Sequence, residues 1–364
     1  MAYSDQHLPD QQAFRTHHTA LDSLFRYADF LNFGEIHIKC DHKTGLKAII
    51  AIHNLKRGPA IGGCRLLSYP STDDAWVDAL RLAYMMSLKA AISNLPHGGA
   101  KAVIIKPYHI KNRTALLEAF AEFVHSLDGR YITAVDSGTF LSDMDIIAKK
   151  TPYVTCTTIS GAEGDPSLPT ALGVRRSIEA AVKFKLGQDN LTGIHIAIQG
   201  AGHVGFHLAK ELTQLGAHLT MCDIDEIVLK RCVDTFGVDT CAPDDIYDLK
   251  ADVFSPCALG SVLNHKTIQR LQVKIVAGSA NSQLAHHHHG FLLQEKGILY
   301  APDFVINAGG LIYAASIYDH FDPLKAIDQV NQIYETSMMI FERAEKEKIA
   351  TSEIAEQIAF SRLR

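Results

Sequence analysis

The sequence predicts an α/β chain of two domains, the first built on a mixed sheet and the second on a parallel sheet covered by helices. Three observations carry this. The 364 residues suit two domains at roughly 150 residues each. The first 150 residues mix strands and helices in no regular order. From about residue 168 strands and helices alternate, the pattern of a parallel sheet with crossover helices. The expected division is 1–150 and 151–344, with a tail of about 345–364 packing back on the first domain.

In the first domain, Ile36 to Cys40 alternates like a strand, and Leu46 to His53 is a short apolar run of β type. Thr72 to Ser93 reads as a long helix. Thr72, Asp73 and Asp74 suit its N-terminus through capping and the helix dipole. Trp76, Ala79, Leu80, Ala83, Met86 and Ala90 recur at helical spacing and line one buried face. Pro96 stops this helix. After a glycine turn, Lys101 to Lys106 reads as a strand, followed by a helix at Ala115 to Leu127 and a strand at Tyr131 to Val135. In the second domain, strands are expected at His195 to Gln199, Leu219 to Asp223, Asp252 to Phe254, Lys274 to Ala277 and Gly297 to Tyr300. A last long helix is expected from Leu324 to Lys348.

Composition narrows the function classes. Apolar residues at 47% and charged residues at 21% fit a folded globular chain and argue against disorder. Lys plus Arg number 35 against 40 Asp plus Glu, a formal charge of −5, so the basic footprint of a nucleic-acid partner is missing. No apolar run approaches the ~20 residues of a membrane span. Met1 to Asp10 has neither a basic nor an apolar leader region. The cysteines Cys40, Cys64, Cys156, Cys222, Cys232, Cys241 and Cys257 form no CxxC pair. That argues against a disulfide framework or a structural zinc site, and for a reducing cytoplasm.

The sharpest motif is Gly200-Ala201-Gly202-His203-Val204-Gly205, between the apolar strand Ile196-Ala197-Ile198 and the helix Phe206 to Leu215. Gly200 permits the tight turn, Gly202 lets the backbone approach a pyrophosphate, and Gly205 allows helix to pack closely on strand. The helix N-terminus offers N–H donors and positive potential to phosphate. Asp223, at the end of the next strand, completes the pattern as acceptor for the ribose hydroxyls of NAD and would repel a 2′-phosphate. Asp225 competes for that role. The second domain is therefore expected to be a Rossmann-type NAD-binding domain.

Lys89 lies on the long helix behind Met85 and Met86, and Lys101 follows His97-Gly98-Gly99-Ala100. The pair reads either as snorkelling lysines or as a cleft in which one holds a carboxylate while burial and a nearby cation tune the other for acid–base work. Asp136 ends a strand in Ala134-Val135-Asp136-Ser137-Gly138-Thr139. It reads equally as a catalytic group or as a turn or helix cap.

At these residues the chain resembles the amino acid dehydrogenases of the glutamate/leucine/phenylalanine/valine type, nearest their leucine members. The resemblance runs from about residue 35 to the end. It is carried by Gly58-Pro59-Ala60-Ile61-Gly62-Gly63-Cys64-Arg65, the Lys89 helix, Gly98-Gly99-Ala100-Lys101, Tyr131-Ile132-Thr133-Ala134 and Asp136, and Pro169-Thr170-Ala171-Leu172-Gly173-Val174. It continues through the glycine motif, Pro256-Cys257-Ala258-Leu259-Gly260, Ala277-Gly278-Ser279-Ala280-Asn281 and Asn307-Ala308-Gly309-Gly310. It implies reversible oxidative deamination of an amino acid to the 2-oxo acid, ammonia and NADH, with a first domain serving substrate and oligomer contacts. It implies that Lys89 binds the α-carboxylate, that Lys101 is the general base for water, and that Asp136 shuttles protons with it. Gly62, Gly63, Ile61, Leu311 and Ala314 are implied on the substrate side. Thr170 and Asn281 are implied to orient the nicotinamide, with Asn307 on the same cofactor side and Asn307 to Gly310 closing the site. A homo-oligomer, commonly an octamer in this family, is also implied.

The departures bear on substrate identity more than on reaction class. Val135 stands where the leucine enzymes usually have Glu, and Cys64 where they have Thr. Pro96-His97 before the glycines is closer to the glutamate enzymes, and Leu311 and Tyr313 replace Val and Asn. Ile61 stands where the glutamate enzymes carry the Lys that holds a side-chain carboxylate, so an apolar substrate such as leucine is implied, with valine, phenylalanine or tryptophan as alternatives. A non-catalytic NAD-binding regulator on the same fold is opposed by Lys89, Lys101 and Asp136 occurring together. The run His286 to His289 is read as a solvated, pH-sensitive surface, because consecutive helical residues face different ways and make a poor metal site; no metal is expected.

Overall fold

The computed structural model describes residues 28–363 apart from 30, 159–164, 259, 321 and 322. The reading of Met1 to Asp10 lies outside them. The chain divides into two compact units. The first runs through Asp165 and takes in Ala314–Pro323 and Ala359–Arg364; the second is Pro166–Tyr313 with Leu324–Ile358. The boundary thus lies at Asp165 rather than residue 150. The tail joins the first unit only from Ala359, not from about residue 345.

The first unit is a five-stranded mixed sheet in the order β1-β2-β4-β3-β5. Strands β1 (Glu35–Asp41) and β2 (Leu46–Asn54) form an antiparallel hairpin, and β4 (Gly98–Ile105) lies antiparallel to β2. Strand β3 (Ala60–Leu67) runs parallel to both β4 and β5 (Tyr131–Val135). Its two glycines hide β3 from a pattern reading. They are there because the strands come close: a Cβ on Gly62 would lie 1.7 Å from the Ala100 carbonyl oxygen.

Period-two alternation gives the sheet two different faces. On one, Ala60, Cys64 and Leu66 of β3 join Ala102 and Ile104 of β4 in a core. That core is closed by Leu116, Phe120 and Val124 of α2 (Arg113–His125) and Met144 and Ile147 of α3 (Leu141–Ala148). The other face packs against α1 (Thr72–Ile92), close enough that a Cβ on Gly99 would meet the Ser87 nitrogen at 2.0 Å. Ser71 caps α1, its hydroxyl accepting the Asp74 N–H at 3.1 Å. The alternation places Ile61, Gly63 and Arg65 of β3 and Lys101 of β4 on this second face.

The second unit is a six-stranded sheet in the order β11-β10-β9-β6-β7-β8, parallel throughout. Its strands are β6 (His195–Gln199), β7 (His218–Cys222), β8 (Asp239–Thr240), β9 (Val253–Pro256), β10 (Ile275–Val276) and β11 (Leu299–Tyr300). The chain order reverses between β6 and β9, the point at which such sheets bind ligands beyond their strand ends. Helix α4 (Ser167–Leu186) leads into β6, α5 (His203–Gln214) follows it, and α6 (Glu226–Phe236) follows β7. Then come α7 (His265–Arg270), α8 (His289–Glu295), α9 (Asp303–Ile306), α10 (Gly309–Tyr318), α11 (Pro323–Asn331), α12 (Ile333–Glu347) and α13 (Thr351–Arg362). The single helix expected from Leu324 to Lys348 is thus two. It is interrupted at Gln332, whose N–H is shared between the Asp328 and Gln329 carbonyls.

Candidate active site

In the first unit, Lys101 is buried, and its ammonium is paired with the Asp136 carboxylate. Arg65 donates from Nε to the same oxygen, Asp136 Oδ2, at 3.1 Å. The other oxygen accepts the Ser137 N–H at 2.7 Å. Burial alone would raise the Asp136 carboxyl, but Lys101 and Arg65 beside it hold it well below the usual carboxylate range. The turn that carries Asp136 is tied by Thr139, whose Oγ1 accepts the Asp136 N–H at 2.9 Å and lies 3.0 Å from the Cys64 carbonyl oxygen. Gly63 is needed at the crossing, because a Cβ there would lie 2.7 Å from Asp136 Cβ. Three expected residues, Lys101, Asp136 and Gly63, are therefore neighbours. The charge that faces Lys101 is thus an anion, the Asp136 carboxylate.

Ile61 has no exposed surface and pairs in register with Gly99 and Ile132. Lys89 is half-buried in the last turn of α1. Eleven residues separate it from Asp78, close to three helical turns, so the two share one face of α1. Asp78 Oδ2 accepts from Arg65 at 2.9 Å and from the Tyr69 hydroxyl at 2.8 Å. Ala314 is buried against Ala134 and Cys156, and its carbonyl accepts the Thr155 hydroxyl at 2.9 Å. Arg65, Asp78 and Tyr69 were not singled out from sequence. Nothing in their spacing announces that β3 and α1 bring them together; Arg65 beside the glycine pair was the one available signal.

In the second unit, Gly200 has φ +108 and Gly205 faces the Gly200 carbonyl, where a Cβ would lie 2.1 Å away. Gly202 differs from both: a Cβ there would meet nothing within 4 Å. It caps α5 without a side-chain acceptor. The backbone N–H groups of that first turn are thus presented across open space, as a pyrophosphate requires. Asp223 Oδ2 accepts the Ala201 N–H at 2.7 Å, and Oδ1 the Asp225 N–H at 2.9 Å. Asp225 is instead the N-cap of α6, accepting the Ile227 N–H at 2.9 Å.

Asn307 donates to the Asn281 side chain at 2.9 Å and to the Ser279 carbonyl at 3.0 Å, while its own Oδ1 is buried without a hydrogen-bond partner. An unmet buried acceptor is costly, and the carboxamide N–H of a nicotinamide fits it. Gly309 and Gly310 pack on the start of α4, where a Cβ would lie 1.9 Å from the Pro169 carbonyl oxygen and 2.6 Å from Thr170 Oγ1 respectively. Thr170, Asn281 and Asn307 are thus linked through one loop cluster, with Leu311 buried just beyond it.

The histidine run is not uniformly solvated. His286 and His288 are exposed and stack on each other, but His289 is buried and accepts the His286 N–H at 2.9 Å. His287 lies 3.3 Å from Glu356, whose hydrogen bond raises the imidazole's proton affinity. Among the described residues no cluster could hold a metal ion, and no helix is long and apolar enough to cross a membrane.

A parallel sheet reversing at a glycine turn, with an acid at the next strand end and a buried lysine–carboxylate pair in the other unit, describes a dehydrogenase that uses NAD. The family model described as "Glu/Leu/Phe/Val dehydrogenase, dimerisation domain" matches residues 32–153, and "Glutamate/Leucine/Phenylalanine/Valine dehydrogenase" matches residues 224–318. The chain belongs to this family and is an NAD-dependent amino acid dehydrogenase. It is 42% identical to leucine dehydrogenase of Geobacillus stearothermophilus over 341 residues, 93% of each chain. It is also 42% identical to phenylalanine dehydrogenase of Caldalkalibacillus thermarum over 331 residues, 89% of each chain. The crystal structure of L-tryptophan dehydrogenase from Nostoc punctiforme superposes with a TM-score of 0.80 at 39% identity, covering 93% of this chain and 98% of that one.

Proposed function

We propose that leucine is the amino acid preferred by this enzyme, whose reaction is the NAD-dependent oxidative deamination of an apolar amino acid. The supporting observation is Ile61, a fully buried aliphatic side chain on the β3 face shared with Gly63 and Arg65. Glutamate-using members carry Lys at this position. A side-chain carboxylate brought against Ile61 would lose water and gain no partner, at a cost of several kcal/mol.

In this proposal Lys89 holds the substrate carboxylate and Gly63 makes room for Asp136 beside it, whereas Gly62, expected on the substrate side, is spent on the close approach of the Ala100 carbonyl on the opposite face. Ile61 and Ala314 are the first-unit residues proposed on its side-chain side. The glycine turn, Asp223 and the Thr170–Asn281–Asn307 cluster would hold NAD, which would supply the acceptor for the hydride on the amino acid Cα. Lys101 Nζ, once it has given up its own proton, takes one from the water that adds to the imino carbon. Asp136 exchanges a proton with the substrate nitrogen, which leaves as ammonia. The test is a panel of L-leucine, L-valine, L-phenylalanine, L-tryptophan and L-glutamate at fixed NAD. The expected result is the highest kcat/KM for leucine. A higher value for an aromatic substrate replaces leucine, and glutamate turnover equal to leucine's removes the argument from Ile61.

The working form is proposed to be a homo-oligomer. Strand β1 is a sheet edge, and Ile38 on it is 58% exposed. The unpaired edge of β1, whose one face carries Ile36, Ile38 and Cys40, is a template for pairing with another chain.

A further inference from the structure

We propose that Asp78 is a positioning residue for the reaction: by holding one arm of Arg65 it keeps the guanidinium off the second oxygen of Asp136 and sets the net charge felt by Lys101. The proposal rests on Lys101 and Asp136 being the acid–base pair.

The geometry is a chain of alternating charges. Asp78 on α1 meets Arg65 on β3 at 2.9 Å, Arg65 meets Asp136 at 3.1 Å, and Asp136 is paired with Lys101 on β4. These side chains are 14%, 18%, 18% and 8% exposed in that order, so bulk water screens them poorly and each charge acts on the next. An arginine facing a lone carboxylate tends to clamp both of its oxygens with its planar fork. Here the fork is divided: NH1 goes to Asp78 and only Nε to Asp136 Oδ2. Asp136 Oδ1 is left with donors of the adjacent Ser137 alone, the N–H at 2.7 Å and the hydroxyl at 3.4 Å, and the substrate nitrogen takes the place of the longer of these, the hydroxyl. Asp78 is itself held by the Tyr69 hydroxyl at 2.8 Å and by Arg81 at 3.4 Å. Asp78 touches no reacting atom in the proposed chemistry.

The other titratable or charged groups around the pair come from three elements. Strand β3 brings Cys64, and Tyr69 follows it. Helix α1 brings Arg81 and Lys89, and β5 brings Tyr131. Burial pushes the Cys64 thiol up to about 11 and holds the Tyr131 phenol well above its ordinary value, so both stay neutral through the working range. The charges that act on the pair are therefore those of the relay, with Arg81 set on Asp78.

The test is the pH dependence of kcat/KM for deamination in the full-length enzyme, its Asp78→Asn and Arg65→Gln variants, and Lys101→Ala as control. Removing the Asp78 charge is expected to move the midpoint of the rising limb to lower pH by roughly half a unit or more. Removing the Arg65 charge is expected to move it to higher pH. A loss of packing alone would not shift the two variants in opposite senses. Midpoints that stay put, or that move the same way, overturn the proposal. Should Asp78→Asn fail to fold, Tyr69→Phe reads the same relay: without its hydroxyl donor Asp78 acts more strongly on Arg65, the midpoint rises, and an unmoved midpoint overturns the proposal. A Lys101→Ala enzyme that keeps the wild-type limb instead removes the acid–base reading beneath it.

Discussion

Asp223 accepts the Ala201 N–H and so braces the glycine turn, and the same carboxylate is the proposed acceptor for the NAD ribose. Asp223→Ser is expected to weaken NAD binding about ten-fold or more and to relax discrimination against NADP, since both the acceptor and the repelling charge are lost. Titrating each cofactor by fluorescence checks this, and unchanged affinities would transfer the role elsewhere. Lys101→Ala is expected to lose most of the turnover while keeping NAD affinity, and Lys89→Ala chiefly to raise the amino acid KM, because a carboxylate clamp serves ground and transition states alike. Steady-state kinetics with a separate NAD titration tells these apart. His53 illustrates a structural histidine. It is buried between the Ser87 hydroxyl at 2.8 Å and the Leu31 carbonyl at 3.0 Å, and burial lowers its pKa to about 4. The unfolded chain, with an ordinary value near 6.5, binds the extra proton first. His53 therefore contributes stability above about pH 6.5 that is lost as pH falls toward 4, on the order of 3 kcal/mol by linkage. Thermal melts from pH 7 to 4.5 should show this decline, and His53→Gln should flatten it.

At the scale of elements, similar glycines carry different constraints. Gly202 has open space where its Cβ would be, whereas Gly205 abuts the Gly200 carbonyl. Gly202→Ala is expected to keep the melting temperature but weaken NAD binding by intruding where the pyrophosphate approaches. Gly205→Ala is expected to lower stability by about 1–3 kcal/mol, because β6 and α5 must move apart. Equal melting temperatures for the two variants would refute the distinction. The same comparison shows what pattern reading resolves. The strand His195–Gln199, the helix beginning at Thr72 and the strand Tyr131–Val135 were legible because their apolar periods are unbroken. Strand β3 was not, because glycines demanded by close strand contact erase the alternation. The break at Gln332 was not legible either, since no proline or glycine marks it and a shared hydrogen bond makes it.

At the scale of the whole molecule, the edge strand β1, with Ile36, Ile38 and Cys40 on one face, predicts association. Light scattering is expected to give a mass several times that of one chain, and Ile38→Lys to reduce it; a monomeric wild type would remove this proposal. Ordered apolar periods, the glycine–acid spacing and the sequence of family motifs were enough to determine two α/β domains, an NAD site and the class of reaction. Those features are local, because each depends on residues a few positions apart and on backbone geometry that repeats. The tertiary structure decided what depends on distant segments meeting. It placed the unit boundary at Asp165 and returned Ala314–Pro323 to the first unit. It made Asp225 a helix cap, leaving Asp223 at the strand end. It joined Asp78, Arg65, Asp136 and Lys101 into one charged chain. Side chains from a helix and three strands meet there only once the sheet has its order. Their mutual electrostatics arise from burial and separation in space, which linear spacing does not encode.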